Sequence, residues 1–327
     1  MSPSLQNKPL IPPSLNIIYV LIVTYKSSRK IAETLTHLDL INKDHLSLVV
    51  SLVDCSGEYA AIKDIAEQFT DLSTTVYDSS KNIGYAGGNN FLINELVHKK
   101  IFGSSNNDLL LVLNPDINLS IDVLLAMVTV HQYMPKAFAV SPCEESYAAY
   151  CTDETVSARI RKLGGKDFTG HKAMFSQIHD INIVDTIAHC TGACLLIKAS
   201  ILANYNLRFS EDFFMYMEET KLLLDAVNLG YHSYAILNKT ILHDTQSDRF
   251  NPLKCYYTSR NAVKLAKSLK RSDLLYYYLA RFAKPSILLG SFFLITRRVE
   301  CIIASIHGFI DGFVGKSGIE LLYHRTT

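Results

Sequence analysis

A glycine-rich stretch at residues 82–90, with the sequence NIGYAGGNN, combines small residues with amide side chains. Glycines allow a backbone to approach a ligand closely and to adopt positive φ angles. The two asparagines that follow supply amide donors and acceptors at the predicted start of a helix. The stretch therefore predicts a loop that binds a phosphorylated ligand.

Asp116 follows an apolar strand pattern at residues 109–113, separated from it by Asn114 and Pro115. A carboxylate in this position emerges at the carboxyl edge of the sheet, where open α/β sheets bind ligands. Hard divalent cations prefer oxygen ligands of this kind. Together with the glycine-rich stretch, Asp116 predicts a site for a nucleotide diphosphate held with a divalent metal.

A third group of interest is the acidic pair Glu218 and Glu219, which directly precedes a helical pattern at residues 220–229. An ionised carboxylate within hydrogen-bond reach of a hydroxyl can act as a general base. The alternative is that both glutamates are solvated and are favoured in the first turn by the helix dipole.

Apolar strand patterns alternate with helical patterns along most of the chain. This alternation predicts a mostly parallel sheet with helices on both faces. The pattern weakens at residues 142–185, which predicts a mobile loop. The predicted strands are 16–24, 46–53, 75–77, 109–113, 138–141, 193–197, 231–237 and 240–243, and the predicted helices are 28–40, 60–69, 88–99, 121–134 and 220–229.

The chain has 327 residues, 48% of them hydrophobic, which is enough for one large domain and an appendage. We expect a flexible leader at residues 1–14, an α/β domain at residues 15–250 and a helical C-terminal region at residues 251–327. A net charge of +1 gives no global field for binding nucleic acid. Seven cysteines without a CxxC pair favour a reducing, cytoplasmic location.

The C-terminal region predicts helices at residues 253–269, 274–282 and 287–313, with basic residues beside aromatic and aliphatic ones. Such a surface favours peripheral contact with anionic lipid. The alternative is that the same apolar faces pack on the α/β domain or on a second subunit, as in a homodimer. The apolar run is interrupted by Arg297, Arg298 and Glu300, so we expect no membrane-spanning helix.

Across residues 16–250 the chain resembles the family 2 glycosyltransferases, and within them the bacterial rhamnosyltransferases. The motifs that carry the resemblance occur in the family's order: VTY at 23–25, VDCS at 53–56, NIGYAGGNN at 82–90, NPD at 114–116, GAC at 192–194, FFMYMEE at 213–219 and His243. The resemblance implies a GT-A fold and transfer of a sugar from a nucleotide diphosphate donor with inversion at the anomeric carbon.

The resemblance also implies roles for single residues. Asp116 takes the place of the last acid of the DxD motif and would bind Mg²⁺ or Mn²⁺, and His243 would complete the metal or diphosphate contacts. The residues implied in binding the nucleotide sugar are Thr24, Tyr25, Asp54, Asn82, Gly84, Tyr85, Ala86, Gly87, Gly88, Asn89, Asn90 and Asn114, the last in place of the motif's first acid.

Glu219 occupies the position of the family's catalytic base, with Glu218 as the alternative. The chain departs from the family near this pair in three ways. The base is a glutamate where aspartate is usual, Met217 replaces a glycine, and Lys221 stands where relatives commonly carry another aspartate.

The resemblance implies transfer of rhamnose from dTDP-rhamnose to a polyprenyl-diphosphate-linked oligosaccharide of an O-antigen or capsule, at the inner face of the cytoplasmic membrane. Two alternatives remain open: a different nucleotide sugar, such as UDP-galactofuranose or UDP-N-acetylhexosamine, or a catalytically degenerate binding or scaffold homologue. A dehydrogenase is disfavoured because the glycine stretch follows the third predicted strand and is not GxGxxG.

Overall fold

The computed structural model describes residues 17–43, 46–99, 107–144, 173–187, 190–243, 251–270 and 298–320. The strands in this part of the chain are β1 (Ile18–Thr24), β2 (Leu48–Asp54), β3 (Ser73–Asp78), β4 (Leu109–Leu113), β5 (Ile117–Asn118), β6 (Ala137–Glu144), β7 (Met174–Ile178), β8 (Ile181–Asp185), β9 (Cys194–Lys198) and β10 (His232–His243). The helices are α1 (Ser28–Lys43), α2 (Tyr59–Ala66), α3 (Gly84–His98), α4 (Ile121–Tyr133), α5 (Ala199–Asn204), α6 (Glu218–Asn228), α7 (Pro252–Ser268) and α8 (Arg298–Val314), with a 3-10 turn at Glu211–Phe213.

The strands form one sheet in the order β3-β2-β1-β4-β9-β6-β10-β8-β7, with β5 paired to β10. Parallel pairing joins β3, β2, β1 and β4, and it also joins β6 and β10. Along that order only β9 and β8 run against the other described strands. The predicted mostly parallel sheet is therefore confirmed.

The hydrophobic core lies on the two faces of this sheet, as strand periodicity requires. On β1, Ile18, Val20 and Ile22 belong to the cluster that contains α1 and α4 residues. Tyr19 and Leu21 point to the opposite cluster, which contains α3 and α6 residues. Both faces of β1 are buried, which explains its continuous apolar sequence.

Three predictions about elements need correction. Residues 142–185 are not a single loop, because β6 continues to Glu144 and β7 and β8 form an antiparallel hairpin. Residues of β7 are mostly exposed, so its sequence lacks the apolar signal of a buried strand. Helix α3 begins at Gly84, four residues before the predicted start, and β10 is one strand with a register shift between Ile236 and Thr240.

The predicted C-terminal helix at residues 253–269 corresponds to α7, and the end of the predicted helix at 287–313 corresponds to α8. The leader at residues 1–14 and the predicted helix at residues 274–282 lie outside the described residues. No described helix combines the length and the apolarity that crossing a membrane requires.

Helix α8 packs against α7 through small residues. A Cβ atom at Gly312 would lie 2.6 Å from the carbonyl oxygen of Arg260, so no larger residue fits there. Cys301 and Ala304 are buried on the same side of α8. Several large apolar side chains of α8 are exposed, among them Val299, Ile303, Ile306 and Ile310. Phe313 is different, because its ring centroid lies 5.0 Å from Nζ of Lys267 on α7. The helix thus packs small residues against α7 and exposes these four apolar side chains.

Candidate functional site

The carboxyl ends of β1 and β2 bring Thr24 and Asp54 together. Both are completely buried, and the hydroxyl of Thr24 donates to the carbonyl oxygen of Val53 at 3.1 Å. The Oδ1 atom of Asp54 accepts from the backbone N–H of Ser56 at 3.0 Å and from its hydroxyl at 2.7 Å. The other oxygen, Oδ2, is buried without a hydrogen-bond partner. A buried carboxylate oxygen left this way is an acceptor that a ligand's N–H could satisfy after a small movement.

A cavity of about 570 Å³ lies between the start of α1, the loop after β2 and the turn after β4. It is rich in cationic and hydroxyl side chains, and its lining residues are Lys26, Ser27, Ser28, Arg29, Lys30, Glu58, Pro115 and Asp116. The cations and the N-terminus of α1 favour an anionic ligand. This basic run directly follows β1, at the edge of the sheet where α/β proteins bind ligands, but no motif predicted a role for it.

Tyr25 begins the same loop and is 39% exposed. The N–H of Ser28 donates to Oε2 of Glu58 at 3.2 Å, so Glu58 caps the start of α1 from the loop after β2. The loops after β1 and β2 are therefore joined, and a ligand in the cavity would contact both.

Asp116 sits in the turn between β4 and β5, on the wall of this cavity. The N–H of Asn114 donates to the carbonyl oxygen of Ala193 at 2.8 Å, which ties the turn to the start of β9. The Asp116 carboxylate is partly exposed and lies 3.9 Å from the ammonium of Lys30. Pairing of β5 with β10 places His243 opposite Ile117, next in sequence to Asp116. Asp116 therefore precedes the strand that pairs with the end of β10, where His243 lies, although the two residues are far apart in the chain.

The glycine-rich stretch makes close contacts within the protein. Gly84 has a φ of +74°, and its N–H is capped by the Oδ1 atom of Asn82 at 3.0 Å. A Cβ atom at Gly88 would lie 2.6 Å from Cγ1 of Val23, so this glycine lets α3 pack closely on β1. Gly87 and Ala86 are also buried within α3. In this structure the small residues accommodate protein contacts, and ligand contact by them stays a prediction.

The amide and phenol groups of the stretch are also engaged within the protein. Asn90 donates to the carbonyl oxygen of Phe209 at 2.8 Å and accepts from its N–H at 3.0 Å. Asn89 donates to the carbonyl oxygen of Tyr85 at 3.0 Å, while its own Oδ1 atom is buried without a partner. The Tyr85 hydroxyl donates to the carbonyl oxygen of Gly192 at 2.6 Å. Asn89 therefore keeps a side-chain amide oxygen as an unused acceptor.

Glu218 and Glu219 open helix α6 and are close enough for their charges to interact. Glu218 is 3% exposed, and its Oε2 atom is buried without a partner. Burial raises the pKa of Glu218 well above its ordinary value, and the charge of Glu219 raises it further. Burial also raises the pKa of Glu219, which is less enclosed than Glu218. The interpretation of both residues as solvated first-turn glutamates is therefore wrong for Glu218.

The acidic pair lies on the same edge of the sheet as the Asp116 turn. A Cβ atom at Gly192 would lie 3.3 Å from Cγ of Glu219, so Glu219 packs directly on this glycine. The next residue, Ala193, is the one that accepts the hydrogen bond from Asn114. The start of β9 therefore connects the acidic pair to the Asp116 turn.

Glu144 and Thr191 also contribute to this site, although the sequence analysis did not identify them. The hydroxyl of Thr191 donates to the Glu144 carboxylate, and its N–H donates to the hydroxyl of Ser141 at 3.0 Å. Among the causes that raise the pKa of Glu219, the charge of Glu144 follows burial. Glu144 could have been found from the sequence as a carboxylate at the carboxyl end of β6. It was missed because that strand was predicted to end at residue 141.

The loop before the acidic pair has an unusual backbone. Phe214, Tyr216 and Met217 have φ angles of +64°, +65° and +72°. For a residue other than glycine, such a conformation costs on the order of 1–2 kcal/mol. Met217 holds the left-handed N-cap position of α6, where a glycine would be unstrained. The other departure, Lys221, pairs with Asp225 one turn further along α6 at 2.5 Å.

Comparison with known proteins places the fold among glycosyltransferases. No protein-family model matches the chain. A curated relative, the low-salt glycan biosynthesis hexosyltransferase Agl10 of Haloferax volcanii, is 25% identical over 257 residues, which cover 74% of this chain and 76% of the relative.

Two solved structures share the fold at low sequence identity. The mannosyltransferase PcManGT from Pyrobaculum calidifontis, in complex with GDP-Man and Mn²⁺, has a TM-score of 0.57 and 15% identity, and the match covers 90% of this chain and 86% of that one. S. aureus TarS 1-349 in complex with UDP-GlcNAc has a TM-score of 0.53 and 14% identity, covering 91% and 81%. These similarities confirm the predicted fold class and agree with the prediction that the chain is a glycosyltransferase.

The close packing of α3 on β1 predicts that a side chain larger than hydrogen at position 88 destabilises the fold. We expect Gly88→Ala to lower the free energy of unfolding by about 1–3 kcal/mol, because the added methyl group overlaps the stiff side chain of Val23. Urea denaturation measures this loss. In a Val23→Ala background the same substitution should cost much less, since the overlap is relieved. An equal loss in both backgrounds would mean that Gly88 is not a packing residue.

Proposed function

We propose that this chain is an inverting glycosyltransferase that uses a nucleotide sugar and a general-base carboxylate. The observation that carries the proposal is the acidic pair at the start of α6, which has raised pKa values and lies on the same sheet edge as Asp116. A basic cavity beside Asp116 offers room for a nucleoside diphosphate. The fold shared with known glycosyltransferases supports the same activity.

Glu219 is the residue we assign as the base. In an inverting transfer, an acceptor hydroxyl attacks the anomeric carbon and loses its proton, while the bond to the nucleoside diphosphate breaks on the opposite side. A carboxylate with a raised pKa takes up that proton more readily than an ordinary one. Glu219 is partly exposed and can meet an acceptor, whereas Glu218 is almost completely buried. Glu218 remains the alternative base.

The residues on the donor side fit a pyrophosphate and a divalent cation. Lys26, Arg29 and Lys30 supply positive charge around the cavity. Asp116 offers a partly exposed carboxylate, and the position of His243 beside it offers a second ligand. Mg²⁺ or Mn²⁺ held there would neutralise charge on the departing nucleoside diphosphate. A metal would compete with Lys30 for the carboxylate.

We assign the remaining donor-side residues to the nucleotide and sugar on the strength of the family resemblance and their location. Asp54, with its unpartnered Oδ2 atom, would hold the base, together with Thr24 and Tyr25. Asn89 would use its remaining acceptor towards the sugar. The other members of this set, which act through backbone or packing, are Asn82, Gly84, Tyr85, Ala86, Gly87, Gly88, Asn90 and Asn114.

Our proposal for the substrates is rhamnose from dTDP-rhamnose, transferred to a polyprenyl-diphosphate-linked oligosaccharide in O-antigen or capsule synthesis. It is supported by the resemblance to bacterial rhamnosyltransferases. UDP-galactofuranose and UDP-N-acetylhexosamine are the alternative donors, and the structural relatives with GDP-Man and UDP-GlcNAc show that this fold accepts varied nucleotides. A catalytically degenerate scaffold is the further alternative, motivated by Asn114, Met217 and Lys221.

A lipid-linked acceptor would require the enzyme to work at the inner face of the cytoplasmic membrane. The outward face of α8 supports such contact, because Ile303, Ile306 and Ile310 are each more than half exposed along one side of the helix. An apolar stripe of this kind suits an interfacial helix that lies in the membrane plane. The alternative occupant is a second copy of the chain.

The assignment of the base predicts different effects for the two glutamates. We expect Glu219→Gln to lower kcat by about two to four orders of magnitude, because the amide cannot accept the proton. Donor and metal affinity, measured by calorimetry, should be preserved. Glu218→Gln is the matched control and should retain much more activity; the reverse result would exchange the two roles.

The pH dependence follows from the same assignment. The base works only when it is ionised, so activity should fall as the pH drops through the raised pKa of Glu219. Because burial and the Glu144 charge both raise that pKa, Glu144→Gln should shift the acidic limb of kcat to lower pH. If the acidic limb of the kcat–pH profile stays at the same pH in Glu144→Gln, Glu219 is not the group whose ionisation controls activity.

The membrane proposal predicts an effect of the α8 stripe. We expect the triple substitution Ile303→Ser, Ile306→Ser and Ile310→Ser to lower co-sedimentation with anionic vesicles by at least about tenfold. Burying one isoleucine side chain in the membrane contributes roughly 1.5–3 kcal/mol of favourable free energy, which serine does not supply. The control replaces three exposed apolar residues elsewhere, Leu40, Val97 and Leu229, with serine. Unchanged vesicle binding, with a change in molar mass by light scattering, would support the dimer alternative.

A further inference from the structure

Asn261 on α7 holds the strained loop that precedes the acidic pair. Its side-chain amide donates to three backbone carbonyl oxygens, those of Phe213 at 2.9 Å, Met215 at 2.7 Å and Tyr216 at 2.8 Å. The three carbonyls share the two hydrogens of one NH₂ group. The positive φ angles of the loop are what allow its carbonyls to converge on a single donor.

Arg260, next to Asn261, supports the same loop from a completely buried position. Its Nη2 atom donates to the carbonyl oxygen of Phe213 at 2.8 Å, and its Nε atom donates to Oδ1 of Asn261 at 3.1 Å. This second bond fixes the amide so that its NH₂ group faces the loop. Its Nη1 atom donates to the carbonyl oxygen of Gly318 at 2.7 Å, just beyond α8.

The surroundings of Arg260 indicate a specific role for it. The guanidinium lies 4.7 Å from the ring centroid of Tyr257 and 5.5 Å from that of Tyr256. Within the described part of the chain its hydrogen-bond partners are carbonyl and amide oxygens, and no carboxylate forms an ion pair with it. Burying a cation in this way is costly, and the rigid fork of arginine suits the fixing of carbonyl positions.

We propose that Arg260 and Asn261 are positioning residues for the carboxylates of Glu218 and Glu219. By holding the carbonyls of residues 213–216, they keep the loop in its left-handed path and set the point at which α6 begins. The Glu219 side chain then packs on Gly192 beside the Asp116 turn. The C-terminal helices thereby become part of the catalytic apparatus, and this inference rests on the proposed function.

The strain at Met217 gives the proposal a distinctive consequence. A non-glycine residue at φ +72° tends to relax, and the hydrogen bonds from α7 oppose that relaxation. A glycine at the same position would hold the left-handed conformation without strain.

The test uses Asn261→Asp, which keeps the size of the side chain but turns the donor towards the three carbonyls into an acceptor. We expect kcat to fall by about 10- to 100-fold, the effect of a base displaced by roughly an ångström. The KM for the donor should change much less than kcat, because the loop meets the donor side only near Phe214, whose carbonyl oxygen accepts from the N–H of Ala86 at 3.3 Å. Adding Met217→Gly should recover part of the lost kcat, which a merely destabilising substitution would not show. Should Asn261→Asp fail to fold, Asn261→Ser keeps one weak donor and should give an intermediate loss.

Lys267→Gln is the control, since Lys267 lies on the same helix but contacts α8 at the carbonyls of Gly312 and Phe313. Amide hydrogen exchange over residues 213–219 provides a readout that does not depend on activity. It should speed up in Asn261→Asp and stay at the parental rate in Lys267→Gln. Parental exchange and parental kcat in the Asn261 variant would overturn the proposal. If the parent protein is inactive with every donor, the proposed function is wrong. If Asn261→Asp still speeds up exchange over residues 213–219 in that case, the role of Asn261 in holding the loop is retained.

Discussion

The burial of two adjacent carboxylates, Glu218 and Glu219, is the constraint that the surrounding structure must satisfy. Burial raises both pKa values; the charge of Glu219 raises that of Glu218 further, and the charge of Glu144 raises that of Glu219 further. The N-terminus of α6 offsets part of that cost, because helix N-termini favour negative charge. The residue before the helix, Met217, has a left-handed backbone, and Asn261 on α7 donates to the carbonyl oxygens of the loop that leads to it.

The reversed strand β9 explains how this acidic pair comes to lie beside the donor side of the site. Because β9 runs against β4 and β6, its amino end lies at the edge where those strands have their carboxyl ends. Gly192 and Ala193 precede β9, and they contact Glu219 and Asn114 respectively. One strand start therefore joins the residues proposed for base catalysis to those proposed for metal binding.

The sequence predicted the parallel half of the sheet well, because strands such as β1 and β4 are buried on both faces and read as continuous apolar runs. It failed for β7, an exposed edge strand whose composition resembles a loop. Site residues could be proposed from the sequence where a motif follows a strand, as Asp116 does, and their roles stay predictions. The packing role of Gly88 and the support from Asn261 depend on contacts between distant segments, which periodicity and spacing do not encode. The sequence did reveal Met217 as a departure, and the backbone shows its physical cost.

The most direct test of the proposed function is release of nucleoside diphosphate from a panel of dTDP-, UDP- and GDP-sugars, with Mg²⁺ or Mn²⁺ and a membrane-lipid extract as acceptor. We expect turnover of one donor class, loss of that turnover on chelation of the metal, and a product with inverted anomeric configuration by NMR. Turnover with retained configuration would contradict the role of Glu219 as a general base. Binding of a donor without any turnover across the panel would identify the chain as a degenerate scaffold.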